Sequence, residues 1–331
     1  MTVLFRVAAG PRTGFGHLRR ALTLASALGV RARIALRAGP KAAAAARSLG
    51  ATLEPGPAGD VLRRRRPDLL VIDDPVASHA ETWLRAARRL EIPVASVHDL
   101  GIAWIPSDLL IDGAFVHERE DGPRRLLGPR YMICALPAPA SGRPAAATRP
   151  DRSGRTRQAA PPAVLIALGG GPRRAHALRM ARAIQRQCPD VVIRIAGGFA
   201  GGARVEEPGV TWLSPLPSLA SELRRAIVAV VAGGVTLYEA CALGVPAVAL
   251  AVTGMSAQRQ TVRAGAALGV LADAGALTDP GATARAAEAV SRLLGDRISR
   301  EKLASAARRT VDGRGASQVA RHLGRLARKR Q

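Results

Sequence analysis

Short, nearly uninterrupted apolar runs alternate with helix-patterned stretches along most of the chain, and this alternation constrains the fold more than any other feature. The runs at residues 3–8, 33–36, 69–72, 94–97 and 109–111 do not alternate apolar with polar. A strand with one wet face would alternate, so these runs belong to strands covered on both faces, the pattern of a parallel sheet between helices. The stretches between them read as helices: Leu18, Leu22, Ala25 and Leu28 share one face, residues 41–49 are alanine-rich, and Trp83, Leu84, Ala87 and Leu90 repeat at helical spacing. Residues 138–162 break the pattern, being Pro, Ala, Ser, Gly and Arg without apolar period, and read as a linker or flexible loop. The alternation resumes with strands predicted at 164–168, 191–196, 210–213, 227–231 and 245–250, and a helix over 175–187. Gly244 suits the end of the helix that contains Thr236, Leu237, Tyr238 and Glu239, and helices fill the remainder. The expected organisation is an N-terminal Rossmann-like domain (1–137), the linker (138–162), a second Rossmann-like domain (163–315) and a basic C-terminal helix (316–331). The 331 residues suffice for two such domains.

Ligands of open parallel sheets sit beyond the carboxyl ends of the strands. Asp73, Asp74, His98, Asp99 and Asp112 all fall there, and so does the turn Thr13-Gly14-Phe15-Gly16-His17 between the first strand and its helix. Gly14 and Gly16 remove side chains that would keep a ligand from the backbone, and the helix start offers unpaired N–H groups to an anion. The turn is not a dinucleotide fingerprint: Arg19 occupies the third glycine position, and residues 31–53 hold no acidic side chain for a ribose. His17 then serves either as a helix-start cap or as a group facing the bound anion.

In the second half, Gly169-Gly170-Gly171 ends one strand and Gly233-Gly234-Val235-Thr236-Leu237-Tyr238-Glu239 follows another. The glycines and the Thr236 hydroxyl suit a diphosphate at a helix N-terminus. Glu239 is placed to accept two hydrogen bonds from a vicinal diol such as that of ribose, or else simply complements the helix dipole. A cleft between two domains with glycine turns is a natural place for a nucleotide-linked substrate.

Composition narrows the partners. The formal charge is +24, from 49 basic and 25 acidic residues, and the only lysines are Lys41, Lys302 and Lys329. An arginine-rich, Ala/Gly/Pro-rich chain also follows from a GC-rich genome, but anionic ligands are favoured either way. Aromatic residues are only 3%, and neither zinc-finger spacing nor a basic region joined to heptads occurs, so nucleic acid is not an expected partner. Cys134, Cys188 and Cys241 are few and widely spaced, as in a reducing compartment. With no signal core at the N-terminus and no long apolar run, a soluble cytoplasmic protein is expected. The basic C-terminal helix reads as a solvated tail, or at most a weak contact with an anionic membrane surface.

Residues 232–246 resemble the donor-nucleotide segment of GT-B enzymes related to the lipid II-forming N-acetylglucosaminyltransferase, and Ser256-Ala257-Gln258 resembles the segment downstream of it. Val3-Leu4-Phe5-Arg6, Gly14-Phe15-Gly16-His17-Leu18-x-Arg20, Leu24-Ala25 and Leu127-Gly128-Pro129-Arg130-Tyr131 resemble the UDP-sugar hydrolase family of pseudaminic acid biosynthesis. The resemblance spans most of the chain outside 138–162. It implies a GT-B-like α/β fold, with two parallel-sheet domains facing across a cleft. It implies hydrolysis of a UDP-linked amino-deoxy sugar to sugar and UDP without metal or other cofactor, or, on the same scaffold, glycosyl transfer from a UDP-sugar. His17 would activate the attacking water. Glu239 would hold ribose, and Gly233, Gly234 and Thr236 the diphosphate. Gly14, Gly16, Arg20, Asp73, Asp99, Gly170 and Gln258 would complete the substrate site.

Overall fold

The computed structural model describes residues 1–10, 13–98, 105–115, 124–136, 162–169, 173–197, 206–214, 216, 218–252 and 256–328. The expected linker, apart from residue 162, and the candidates Asp99 and Gly170 lie outside these.

The first half contributes β1 (Val3–Ala8), α1 (Gly16–Leu28), β2 (Arg33–Arg37), α2 (Pro40–Ser48), β3 (Thr52–Leu53), α3 (Ala58–Arg65), β4 (Leu69–Asp73), α4 (Ala77–Arg89), β5 (Val94–His98), β6 (Leu109–Asp112) and β7 (Arg125–Leu127). Its seven strands form one parallel sheet in the order β3-β2-β1-β4-β5-β6-β7. Two-sided burial explains the apolar runs. Along β4, Leu69 and Val71 enter the core under α1, while Leu70 and Ile72 enter the core under α3 and α4.

The second half contributes β8 (Ala163–Ala167), α5 (Arg174–Gln187), β9 (Val192–Ala196), β10 (Val210–Leu213), α6 (Ala220–Arg225), β11 (Val228–Ala232), α7 (Val235–Leu243), β12 (Ala247–Ala251), α8 (Ser256–Ala267), β13 (Ala272–Ala276), α9 (Ala282–Gly295), α10 (Arg297–Thr310) and α11 (Gly315–Arg328). Its parallel sheet has the order β10-β9-β8-β11-β12-β13. Gly244 ends α7 in the left-handed region at φ +67°, as expected of a helix-ending glycine. The strand β13 replaces an expected helix. Its sequence, Ala-Asp-Ala-Gly-Ala, carries no bulky side chain to mark it, and it holds its place by edge pairing with β12.

The last helix is also not the solvated tail expected. Val319, Leu323 and Ala327 of α11 are buried in the N-terminal core beside α1. The apolar face a membrane would need is therefore occupied by the protein's own first domain, and α11 ties the end of the chain back across the domain boundary. Two glycines make the crossing possible. A Cβ on Gly113 would lie 2.5 Å from the Cα of Met132, and one on Gly315 would overlap the Met132 carbonyl oxygen. The outgoing and returning segments thus touch backbone to backbone.

Both sheets reverse strand order at their centre, between β1 and β4 and between β8 and β11. Such a switch point opens a crevice at the carboxyl end of the sheet. Here the two crevices face each other.

Candidate active site

A cavity of about 460 Å³ lies between the domains. Gly14, Gly16, His17, Arg20 and Asp73 line it from the first domain, and Gly233, Gly234, Thr236 and Gln258 from the second. So nine of the twelve residues singled out from the sequence share one cavity; Asp99 and Gly170 lie outside the described residues. Glu239 is wholly buried and is not part of the lining, although its neighbour Tyr238 is.

The first-domain wall is built at the switch point. His17 stands on the first turn of α1, after β1, and Asp73 is the last residue of β4, the strand paired with β1. Their adjacency is a consequence of the strand order. His17 Nδ1 lies 2.6 Å from Asp73 Oδ1. Arg20, one turn further along α1, donates from Nε to Oδ2 and from Nη2 to Oδ1, both at 2.8 Å. Desolvation of the buried Asp73 carboxyl would raise its pKa, but the Arg20 and His17 charges and hydrogen bonds win and hold it well below the usual carboxylate range. An ionised carboxylate only accepts, so Nδ1 carries the proton and Nε2 is the ring's acceptor nitrogen. Arg20 Nη2 also lies 2.8 Å from Nδ1. An arginine has no lone pair to offer, so that approach is two donors converging on Oδ1. The geometry makes Asp73 and Arg20 an orienting pair for His17.

The second-domain wall is a helix N-terminus. Neither α1 nor α7 carries a side-chain cap or an acidic residue in its first turn, so their leading N–H groups meet the cavity uncompensated. The helix α5 likewise has no side-chain cap and no acidic residue in its first turn, and its N-cap Arg173 lines the cavity. The two diglycine residues differ in use. A Cβ on Gly233 would press within 2.9 Å of Val262, so Gly233 permits the packing of α8. Gly234 has open space where a Cβ would be, which leaves room for a ligand. Gln258 accepts from the Val252 N–H through Oε1 at 2.9 Å, which fixes the orientation of its amide.

Glu239 lies in the domain boundary. Neither carboxylate oxygen has a hydrogen-bond partner. Burial pushes its pKa up to about 7, although the charge of Arg19 and the nearby Ala135 amide act to lower it. That amide approaches without completing a hydrogen bond of good geometry.

Sequence reasoning missed three lining residues. Arg19 crosses the cleft to donate to the Leu216 carbonyl at 3.2 Å. Tyr238 accepts from the Phe115 N–H at 3.2 Å, its ring 4.4 Å from that of Phe115. Arg173, the N-cap of α5, has its pKa lowered by desolvation. Their signal was tertiary, since each acts across the domain boundary or within the closed cavity. Conversely, Asp74 turns away from the cavity: it pairs with Arg37 Nε at 3.0 Å and Arg6 Nη2 at 3.2 Å on the far side of β4.

Residues 173–310 match the family model described as glycosyl transferases group 1. No curated protein sequence matches the chain. The structure resembles that of the glycotransferase of kitacinnamycin, with a TM-score of 0.66 at 19% identity over 98% of this chain and 99% of that one. It resembles the spinosyn rhamnosyltransferase SpnG complexed with thymidine diphosphate, at 0.65 and 20% identity, covering 98% and 100%. MurG of Acinetobacter baumannii gives 0.65 at 16% identity, again covering 98% and 100%. With two parallel-sheet domains meeting at their switch points, and with neighbours covered end to end, this chain has the GT-B fold of glycosyltransferase-like proteins.

Proposed function

We propose that the protein transfers a glycosyl group from a nucleoside-diphosphate-sugar to a hydroxyl acceptor, with His17 as the base. The observation that carries this reading is the pairing of an oriented imidazole on one wall with an uncapped, glycine-opened helix start on the other. The diphosphate lies against Gly233, Gly234 and Thr236, where N–H groups and a hydroxyl stabilise it as it leaves. Glu239 is buried off the cavity, so its two unpartnered oxygens reach the ribose diol only when the domain boundary around it opens on binding. His17 Nε2 takes the acceptor's proton as that oxygen bonds to the anomeric carbon. The bond to the diphosphate oxygen breaks with its electron pair on the leaving group. UDP is the nucleotide implied by the sequence resemblance; SpnG, complexed with thymidine diphosphate, makes TDP the alternative to test.

Hydrolysis, the reading drawn from the N-terminal resemblance, uses the same atoms with water as acceptor. The match of residues 173–310 to glycosyl transferases favours transfer. The test is phosphorus NMR of the purified protein with UDP- and TDP-sugars, amino-trideoxy sugars included, with and without a mixture of hydroxylated acceptors. Nucleotide release that needs the acceptors supports transfer. Equal release in their absence makes the protein a hydrolase, and no release with any donor removes the catalytic reading.

A further inference from the structure

The helix α8 carries a buried hydroxyl that the protein's own hydrogen bonds leave unused. Thr23, Thr82 and Thr310, each more than a turn into its helix, donate to the carbonyl four residues before, those of Arg19, Ser78 and Ala306. Thr261 stands as far into α8, yet its hydroxyl has no hydrogen-bond partner among the described residues. It is only 6% exposed, and it lines the cavity. Its oxygen is not sealed in packed protein, as the orphaned oxygens of Glu239 are, so it opens on the cavity. Gln258, one turn earlier on the same face of α8, lines the cavity too. The Val252 N–H holds its Oε1, which leaves the amide N–H groups for a ligand. The rotation of α8 that presents both side chains is set at Gly233. A Cβ there would lie 2.9 Å from Val262 Cγ2 and 3.0 Å from the Gln258 carbonyl oxygen.

We propose that Thr261 is a specificity-determining residue, whose hydroxyl acts with the Gln258 amide N–H to hold one hydroxyl of the glycosyl group. The proposal rests on the proposed glycosyl transfer. Within that reading the diphosphate lies at α7, and the two ends of the donor run to either side of it. Arg19, which reaches the Leu216 carbonyl beyond β10, also acts on Glu239, the group given to the ribose. The nucleoside therefore belongs on the β10 side of α7. The glycosyl group runs the other way, towards α8, which follows β12 on the opposite side of β11. An amide N–H only donates, whereas a threonine hydroxyl both donates and accepts. A sugar hydroxyl between them accepts from Gln258, donates to Thr261 and so satisfies both. A deoxy carbon at that position leaves a buried hydroxyl and an amide unmatched, and a site built to hydrogen-bond a substrate hydroxyl discriminates strongly against the analogue lacking it.

Thr261→Val keeps the shape of the side chain and removes the hydroxyl, and Thr261→Ser keeps the hydroxyl. Binding is measured by calorimetry with UDP, TDP, UDP-glucose, TDP-glucose and UDP-N-acetylglucosamine, and then with the monodeoxy analogues of the tightest nucleotide-sugar. Thr261→Val is expected to weaken that nucleotide-sugar about tenfold and its parent nucleotide less than about threefold, while Thr261→Ser stays within about threefold for both. One monodeoxy analogue is expected to bind the wild type about tenfold more weakly than the intact sugar, and Thr261→Val is expected to bind the two alike. A hydroxyl that served the fold would be missed by the ligand-free protein. This one has no bond to lose, so the melting temperature of ligand-free Thr261→Val is expected to be unchanged or raised. Equal losses for sugar and nucleotide, no loss, discrimination retained in Thr261→Val, or a lowered melting temperature overturns the role of Thr261 and leaves the nucleotide site standing. Binding of no nucleotide by the wild type overturns the functional reading, and this assignment with it.

Discussion

Gly16 and Val235, the first residues of α1 and α7, face each other across the interdomain cleft: a Cβ built on Gly16 would lie 3.5 Å from Val235 Cγ2. Two helix starts from two domains thus converge on one anion-sized space. At that distance a methyl group fits in ordinary contact and anything longer must fill the cleft. Gly16→Ala is therefore expected to keep UDP or TDP affinity within about threefold, whereas Gly16→Leu loses roughly tenfold or more, about 1.4 kcal/mol. Calorimetric titration of both variants checks this; equal affinities would show that the nucleotide does not lie between the helix starts.

His17→Ala and Asp73→Asn separate chemistry from orientation. Removing a general base costs roughly 10²- to 10⁴-fold in turnover, and the His17 variant is expected to show this with nucleotide affinity unchanged. Asp73→Asn takes the charge from a buried carboxylate held by Arg20 and His17, leaving the guanidinium uncompensated. It is expected to slow turnover and also to cost about 3 kcal/mol in denaturant unfolding, as broken buried pairs do. Turnover lost in the histidine variant but retained in the asparagine variant would show that Asp73 does not orient the base.

Much of this was legible in the chain because it is local. Buried parallel strands announce themselves as apolar runs, and glycines at their ends mark where the backbone must stay open. Asp73 was found as a strand-end carboxylate, but its partnership with His17 depends on β1 and β4 being neighbours, which no short window of sequence encodes. The burial of Glu239 depends on the Ala135 segment of the domain crossing. The strand β13 was lost for want of side-chain bulk. The helix α11 was recognised as a helix, yet its destination was not, because an amphipathic basic helix looks alike whether its apolar stripe meets a core or a membrane.

That destination is testable. Leu323 is fully buried in the N-terminal core beside α1. Leu323→Ala is expected to destabilise the protein by about 3 kcal/mol, as large-to-small changes in a packed core do. An exposed arginine on the same helix, Arg325→Ala, should cost less than about 0.5 kcal/mol. Equal small losses for the two would mean that α11 does not belong to the core.

Glu239 carries a pH prediction of unusual sign for a carboxylate. Its pKa is raised by burial from 4.5 to about 7 in the folded protein. Below about 4.5 both the folded and unfolded forms are protonated, and the group contributes its full stability. Between 4.5 and 7 the unfolded chain releases its proton while the folded chain retains it, so this stability is lost as pH rises and is gone above the folded value. The gap corresponds to about 3 kcal/mol. Glu239→Gln, which cannot ionise, is expected to be more stable than the wild type at pH 8 by up to that amount, with the difference shrinking towards pH 4.5. Denaturant unfolding at three pH values measures it. Parallel slopes for the two proteins would show that the carboxylate has found a partner, and the same variant's weakened UDP affinity would separately report the ribose contact.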